Sequence, residues 1–422
     1  VWVRLGEPDA HSDLERLEER AKEKVQLAVR SAAMRAHALA IHEEAELLRM
    51  RFIGVGDDRV GAAERLQELL KPFFVLGPKD WTKLDHNLNM LDPAELDRLK
   101  TEVDELLFLW MVGLDSALED ASPRTGDPGR DRILALAVDV CDKALRFTGP
   151  AGPWRELRDR FQARRSQPAA RTAGAEGPGE PSRIEAETSA LVCFQWGLLH
   201  SSRRENGEAR RWLRRAVRID WSNYWYHYYL GYLEDQAGNR DQALYQYSVA
   251  AAVKPDSPWV LYSRARLYRQ QGDWAWADED LRKSLDLMKD RPESRMVHLE
   301  LGYVRQALGD FTGARSHYVE VLEKDAADKL GRAARLNLAN LDAESGAVER
   351  AQFGYSEILE LDPGDSAARL SRALLDLRLG RPESAATALD YLIERESRPR
   401  ERGDLLATRA VVSMLLGRND RA

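Results

Sequence analysis

Histidine and acidic side chains near the start of the chain are the first candidates for metal or acid–base chemistry. A zinc-binding helix of the protease type needs a second histidine four residues after the first, and His42-Glu43-Glu44-Ala45-Glu46 lacks it. His37 and His42 are five residues apart and so face different sides of a helix. The sequence therefore predicts no metal site and no metal cofactor.

Nucleotide-binding and catalytic motifs are the next candidates. The segment 54-GVGDDRVG-61 has the wrong glycine spacing for a dinucleotide loop, and it follows a predicted helix, not a strand. The sequence has no Gly-rich loop ending in Lys and Ser or Thr, no Gly-x-Ser-x-Gly elbow, and no His-Arg-Asp or Asp-Phe-Gly motif. Its many acidic residues lie on helix faces, where they are usually solvated. We therefore predict a chain that is not an enzyme and needs no cofactor.

Charge and hydrophobicity restrict the partners further. The 422 residues carry a net charge of −7, with 44% hydrophobic and 32% charged residues. A nucleic-acid-binding protein needs a basic face, so we expect no nucleic-acid partner. No apolar run is long enough to span a bilayer. We expect a cytoplasmic protein with two buried thiols, Cys141 and Cys193; because the chain begins at Val1, export or membrane anchoring stays open.

Helical patterns fill the first half of the chain. Apolar positions predict helices over 13–52, 59–71, 91–111, 131–147 and 154–165, which together form a helical N-terminal domain, 1–165. The start of the third is the clearest, since Asp92 is a good N-cap, Pro93 follows it, and Glu95 completes a capping box. Residues 166–182, rich in Pro, Gly and Ala, are predicted to be a flexible linker.

A period of about 34 residues governs the second half. Small residues recur at positions eight and twenty of each unit, glycine near fifteen, and an apolar residue at twenty-four. The units are 224–257, 258–291, 295–328, 332–365 and 366–399. A divergent copy is 190–223, where the turn glycine is expected at Gly207, and a truncated copy is 403–422. Each unit reads as a helical hairpin that must stack on its neighbours to bury its apolar side.

This pattern resembles the tetratricopeptide repeat. The resemblance implies an all-α fold, in which a superhelical solenoid over 183–422 follows the helical N-terminal region. It also implies a concave wall that binds a peptide or a partner segment. The uncapped copy at 403–422 additionally suggests self-association, or even a self-assembling structural array.

The aromatic run 223-NYWYHYYLGYL-233 supplies the main candidate binding residues. The resemblance to the family implies that some residues of this run face the inner wall of the solenoid. These residues, and those at matching positions of later units, are the expected partner-binding side chains. These are Trp225, Tyr228, Tyr229, Tyr232, Asp235, Gln236, Trp259, Tyr262, Arg266, Arg269, Gln270, Tyr303 and Asn340. The alternative is that the N-terminal helices or the first repeat cover the rings. His227 and Glu234, polar on the face toward the partner helix, suggest a local hydrogen-bonded pair.

A second resemblance comes from 66-LQELLKPFFVLGPKDWTKL-84 and 91-LDPAELDRLKTEVDELLFLWM-111, followed by the repeats. Together they look like the helical region after the kinase domain of some large bacterial serine/threonine kinases. Two functions follow: a non-catalytic protein-interaction scaffold, or the regulatory arm of a kinase whose catalytic domain lies outside this chain.

Overall fold

The structure is a computed structural model that describes residues 8–54, 58–73, 75–76, 90–120, 128–148, 152–166, 189–288, 291–325 and 328–417. Within these ranges the secondary structure is helical and includes no strand, which confirms the all-α prediction. The chain divides into two compact units, Val1–Gln246 and Tyr247–Ala422. Each unit is described separately.

The first unit begins with five helices that form a bundle ahead of the repeats. Its helices are α1 (Pro8–Phe52), α2 (Arg59–Leu70), α3 (Pro93–Asp120), α4 (Pro128–Thr148), α5 (Gly152–Ser166), α6 (Ala190–Ser202), α7 (Asn206–Ile219), α8 (Tyr224–Gln236) and α9 (Arg240–Val253), the last of which continues into the second unit. A short 3-10 turn, Lys71–Phe73, follows α2. Helix α3 contacts α1, α4, α5 and α6, so it is the central element of this unit.

The capping box predicted at the start of α3 is present. Asp92 Oδ1 accepts hydrogen bonds from the backbone N–H groups of Ala94 and Glu95, at 2.9 and 2.8 Å. Glu95 Oε2 in turn accepts from the Asp92 N–H at 3.1 Å. These bonds satisfy donors that a helix start otherwise leaves unpaired, which fixes where α3 begins. The linker predicted over 166–182 lies, from residue 167 onward, outside the described residues, and its role as a domain boundary stays a prediction.

The second unit is a row of helical hairpins. Its helices are α10 (Pro258–Gln271), α11 (Trp274–Met288), α12 (Ser294–Ala307), α13 (Phe311–Lys324), α14 (Lys329–Glu344), α15 (Val348–Leu361), α16 (Ser366–Arg378), α17 (Pro382–Arg395) and α18 (Pro399–Leu415). Each helix contacts the next one, and α10, α12, α14 and α16 also contact one another in sequence. The first helices of successive hairpins therefore lie side by side and form one wall.

Turn glycines end the first helix of each regular repeat, as the sequence predicts. Gly272, Gly309, Gly346 and Gly380 have φ between 69° and 84°. Only glycine adopts this left-handed conformation without steric cost, so these positions set the tight turn.

The divergent copy at 190–223 corrects the prediction made for its turn. Gly207 is the second residue of α7, not a turn residue. The left-handed position is taken by Arg204, with φ of 61°, the one non-glycine residue with positive φ in the described ranges. Arg204 occupies position fifteen of its copy, so the backbone keeps the repeat geometry where the residue type does not.

Close packing inside the hairpins explains the small residues. A Cβ added at Gly302 would lie 2.4 Å from Cε1 of Tyr318 on the paired helix, closer than two carbon atoms can approach. In the next hairpin Ala339, Ala351 and Tyr355 belong to one buried cluster. Positions eight, twenty and twenty-four of a single unit thus pack together.

Candidate functional site

Most of the aromatic run on α8 is buried in the first unit. Trp225, Tyr228 and Tyr229 are 1%, 2% and 6% exposed. The Trp225 ring is stacked on Tyr228, with centroids 5.2 Å apart, and Phe194 of α6 packs edge-on against Tyr229 at 5.8 Å. These rings form a core, and the prediction that they line an open wall is corrected for these three residues.

The N-terminal helices supply part of the cover. The guanidinium of Arg49, at the end of α1, lies over the Trp225 ring with its Cζ 5.7 Å from the ring centroid. A buried carboxylate of α3, Glu105, holds that guanidinium in place through two hydrogen bonds of 3.0 and 3.1 Å. At Trp225 the structure therefore has the alternative arrangement, in which the N-terminal helices cover the ring. Of the other predicted residues here, Tyr232 and Asp235 are half-buried and Gln236 is exposed.

The predicted pairing of His227 with Glu234 is wrong. His227 Nε2 donates to the Trp221 carbonyl oxygen at 3.0 Å, and its Nδ1 lies 2.8 Å from the Gln246 side-chain amide. Glu234 instead accepts hydrogen bonds from Arg214 at 2.6 Å and from Asn239 at 2.7 Å. Two turns of one helix separate His227 from Glu234, and each finds a nearer partner on another segment.

In the second unit the predicted residues divide into buried and accessible ones. Trp259 and Tyr262 are buried, whereas Arg266 and Gln270 are exposed. Arg269 lies over the ring of Tyr303, with its Cζ 5.0 Å from the centroid, and its Nε lies 2.9 Å from a Glu300 carboxylate oxygen. Tyr303 is 43% exposed, so part of its ring stays accessible although the Arg269 guanidinium lies over it.

A cleft of about 290 Å³ lies next to Tyr303, across the first helices of three successive hairpins. Helices α12, α14 and α16 contribute most of its walls, and α15 contributes Tyr355. Its lining residues are Tyr303, Gln306, Asn337, Asn340, Ala343, Glu344, Tyr355, Ser371, Leu374, Leu375 and Arg378. Two predicted binding residues, Tyr303 and Asn340, therefore meet at one site.

Hydrogen bonds orient several of the polar groups in this cleft. Tyr355 donates to Asn340 Oδ1 at 2.7 Å, and burial raises the pKa of Tyr355 to about 12, so the phenol stays a donor. Gln306 Nε2 donates to Glu344 Oε2 at 2.7 Å, and Tyr318 donates to Gln306 Oε1 at 3.1 Å. The hydrogen bond from Tyr355 fixes the orientation of the Asn340 side chain and therefore of its amide N–H groups.

Two other polar residues of the cleft are not held by hydrogen bonds or ion pairs of this kind within the described ranges. Asn337 makes no hydrogen bond with a described residue, and Arg378 pairs with no carboxylate in the part of the chain that the structure describes. The cleft thus combines an open ring, spare amide groups and an unpaired cation.

The sequence analysis missed Asn337, Ser371, Leu374 and Arg378. The signal was available: these residues occupy positions six, nine or thirteen of their units, the same positions as Tyr229, Tyr232 and Gln236 in 224–257. Extending the register through the last two units would have found them.

The described residues include neither a candidate metal site nor a candidate membrane-spanning helix. Among the described residues, no three His, Cys, Asp or Glu side chains gather closely enough to hold a metal ion. No helix in the same ranges combines the length and apolar character needed to cross a bilayer.

The spacing of residues in the sequence agrees with the contacts in the structure, and together they identify the fold. Helical hairpins recur at the period of about 34 residues, small residues touch at positions eight and twenty, and left-handed glycines form the turns. These hairpins have the tetratricopeptide-repeat fold. The cleft at Tyr303 lies along the wall formed by the first helices of these tetratricopeptide repeats.

No protein-family model and no curated protein sequence matches the chain. Among solved structures it is similar to a tetratricopeptide repeat protein from Parabacteroides merdae, with 16% identity, 74% of this chain and 98% of that chain covered, and a TM-score of 0.43. It is also similar to PilW, a type IV pilus biogenesis factor, with 16% identity, 52% and 100% coverage, and a TM-score of 0.45. The Cut9–Hcn1 hetero-tetramer of the APC/C gives 16% identity, 86% and 73% coverage, and a TM-score of 0.43.

Proposed function

We propose that this chain is a non-catalytic interaction scaffold, and that the cleft between α12, α14 and α16 binds an extended peptide segment of a partner protein. The observation that supports the proposal is a set of groups in that cleft: the Asn337 amide and the Asn340 N–H groups, which have no hydrogen-bond partner among the described residues, and the accessible part of the Tyr303 ring.

Backbone recognition explains the asparagines. An extended peptide has one N–H and one C=O per residue, and each loses water when it is bound. An asparagine amide offers both a donor and an acceptor, so it can pair with a peptide unit in either orientation. Asn337 and Asn340 are adjacent on one face of α14, one turn apart, and suit neighbouring peptide units.

The dimensions of the cleft set the length of the ligand. Packed helices lie about 8–10 Å apart, so three parallel helices span roughly 20 Å from the first axis to the third. An extended chain advances about 3.3 Å per residue, so this wall accommodates about six residues. Tyr303 and Leu374 provide apolar contact for side chains on the ligand, and Arg378 favours an acidic residue at the α16 end.

The test is a selection from a random displayed peptide library on the full chain, followed by affinity measurements on the selected peptides by fluorescence polarisation. We expect Tyr303→Ala and Asn337→Ala each to weaken the selected peptides by about tenfold, which is typical of an anchor residue in an interface. Both side chains are accessible, so the thermal melting of the variants should stay close to that of the parent.

Tyr245→Ala is the matched control, because Tyr245 is also an exposed tyrosine but lies on α9, outside the cleft. An equal loss of affinity in Tyr245→Ala and Tyr303→Ala, or selected peptides that neither cleft variant weakens, would contradict the proposal. Trp225→Ala should behave differently from all of these, because removing a buried tryptophan costs about 3–5 kcal/mol of stability.

The link to a kinase stays a prediction. It concerns residues outside this chain, and the coding sequence upstream of Val1 tests it directly: a kinase domain in the same reading frame supports it.

Self-association is likewise a prediction, and exposed apolar side chains on α18 support it. Leu406, Val411, Met414 and Leu415 are each about half exposed or more. Light scattering over a range of protein concentrations tests it, and a constant monomer mass at the highest concentration contradicts it.

A further inference from the structure

A second cleft, of about 350 Å³, lies between α15, α16 and α17, and none of its lining residues is shared with the peptide cleft. Its lining includes Arg369 and Arg372 from α16, and Ser384, Thr387 and Tyr391 from α17. The two arginines are at positions four and seven of their unit, on the face of α16 that packs toward α17.

Tyr391 arranges the cationic groups of this cleft. The guanidinium carbon of Arg369 lies 4.0 Å from the centroid of the Tyr391 ring, and that of Arg395 lies 3.8 Å from the same centroid. Contacts of this kind attract the cation to the ring and restrict the side chain. Arg369 is fixed further because its Nη2 donates to the Pro363 carbonyl oxygen at 2.6 Å.

Arg369 and Arg372 lack a carboxylate partner among the described residues, whereas other arginines of the unit have one. Arg264 pairs with Asp280 at 2.7 Å, Arg295 with Asp328 at 2.7 Å, and Arg409 with Asp390 at 2.8 Å. Within the described ranges, no carboxylate lies at ion-pair distance from Arg369 or Arg372, although the chain as a whole is acidic. The buried Nε of Arg369 also has no hydrogen-bond acceptor among the described residues.

The one carboxylate in the cleft lining is already engaged. Asp376 accepts a hydrogen bond from Ser384 Oγ at 2.8 Å and lies 3.8 Å from the Arg381 guanidinium. Thr387 donates its hydroxyl to the Glu383 carbonyl oxygen at 3.0 Å. The charged groups of the lining that remain without a carboxylate partner among the described residues are therefore the guanidiniums of Arg369 and of the exposed Arg372.

We propose that Arg369 and Arg372 bind the phosphate group of a phosphate monoester in this cleft. A guanidinium presents parallel N–H donors that match two oxygens of a phosphate, and the terminal phosphate of a monoester offers three oxygens with a charge near −2. Two guanidinium groups then share one dianion. The source of the phosphate is a phosphorylated serine or threonine of a partner, or a small phosphorylated molecule.

The experiment measures the binding of three probes to the full chain by calorimetry: inorganic phosphate, a peptide library with one fixed phosphoserine, and the same library with glutamate at that position. We expect saturable binding of phosphate and of the phosphoserine peptides, competition between the two, and much weaker binding of the glutamate peptides. Phosphate binding without phosphopeptide binding supports a small-molecule source for the same site.

The paired substitution Arg369→Gln with Arg372→Gln should weaken phosphate binding by at least about tenfold, since charge-assisted hydrogen bonds are lost. Arg378→Gln is the matched control, because Arg378 is on the same helix and also lacks a carboxylate partner among the described residues, but lies in the peptide cleft. Tyr303→Ala should also leave phosphate binding unchanged, which separates this test from that of the peptide cleft.

Three results would overturn the proposal: no saturable phosphate binding by the parent chain, equal weakening by Arg378→Gln and the paired variant, or equal affinity for the glutamate peptides. Circular dichroism melting confirms that the paired variant folds. If it does not fold, Arg372→Gln alone is measured, because Arg372 makes no hydrogen bond with a described residue that folding would lose.

Discussion

The guanidinium of Arg49 lies over the indole ring of Trp225, and this contact joins the first helix of the chain to the aromatic run of α8. Glu105 of α3 completes the arrangement with two hydrogen bonds to Arg49, and all three residues are buried. The aromatic run is therefore part of the core of the first unit, where it helps to join the leading helices to the first repeats.

Breaking the Arg49–Glu105 pair from either side should destabilise the fold strongly. Arg49→Gln or Glu105→Gln leaves an unpaired buried charge, which costs about 3–5 kcal/mol. Replacing both by apolar residues of similar size, Arg49→Met with Glu105→Leu, should cost much less than the sum of the single changes. Urea unfolding followed by circular dichroism measures each cost, and additive losses would contradict a direct pair.

Asp104 should make the stability of the first unit depend on pH in an unusual direction. Trp154 and Gln195 donate to its carboxylate at 2.8 and 2.6 Å, but burial dominates and raises the pKa of Asp104 to about 7. Because the folded state binds this proton more tightly than the unfolded state, the contribution to stability falls as pH rises from about 4 to about 7. The total change is on the order of 4 kcal/mol, since one pKa unit corresponds to about 1.4 kcal/mol.

Asp104→Asn tests this dependence, because an amide cannot titrate and the Gln195 amide can turn to match it. The free energy of unfolding of the variant, subtracted from that of the parent, should change between pH 4 and pH 7. A difference that stays constant over this range would show that Asp104 does not titrate there.

The histidine pair in the α12–α13 hairpin should act in the opposite direction. His298 Nδ1 and His317 Nδ1 are 3.0 Å apart. Burial lowers the pKa of both imidazoles, and for His317 the neighbouring His298 lowers it further. The unfolded state therefore binds protons more tightly, and stability should fall as pH drops below about 6.5.

His317→Gln should reduce this acid sensitivity, measured as the change in melting temperature between pH 7 and pH 5. His37→Gln, at an exposed histidine of α1, is the control and should leave the sensitivity unchanged. Equal behaviour of the two variants would mean that the buried pair does not control the response.

Two glycines of the second unit should respond oppositely to alanine. Gly302→Ala brings a methyl group into the Tyr318 ring, so we expect a loss of about 1–3 kcal/mol, typical of overpacking. Around Gly403, in the first turns of α18, no atom of the described residues lies within 4 Å of the added Cβ, apart from the adjacent backbone of the helix itself. There alanine should stabilise by about 0.5–1 kcal/mol. Thermal melting of both variants checks the pair, and a neutral Gly302→Ala would mean that the helices can separate at no cost.

The helices, the repeat and the turns can be predicted from the amino-acid sequence alone, because these features depend on neighbouring residues. Asp92, Pro93 and Glu95 define a helix start within one turn, and Gly272 or Gly309 marks a turn wherever it occurs in the repeat. The position of Tyr303 and Asn340 on one wall followed from the same period. The turn predicted at Gly207 lies instead at Arg204, which is position fifteen of its copy and adopts the left-handed conformation.

Which helix faces stay open follows from the packing of the helices, since burial depends on residues that are distant in the sequence. The sequence of α8 does not show that Arg49 and Phe194 cover the rings of Trp225 and Tyr229. It also does not show that the partner of His227 is Gln246 and that the partner of Glu234 is Arg214. The cleft at Tyr303 likewise needs helices of three hairpins, and the cleft with Arg369 and Arg372 needs the packing of α15, α16 and α17. A periodic sequence specifies where each side chain points, but only the packed neighbours determine whether solvent, a partner or the chain itself occupies that space.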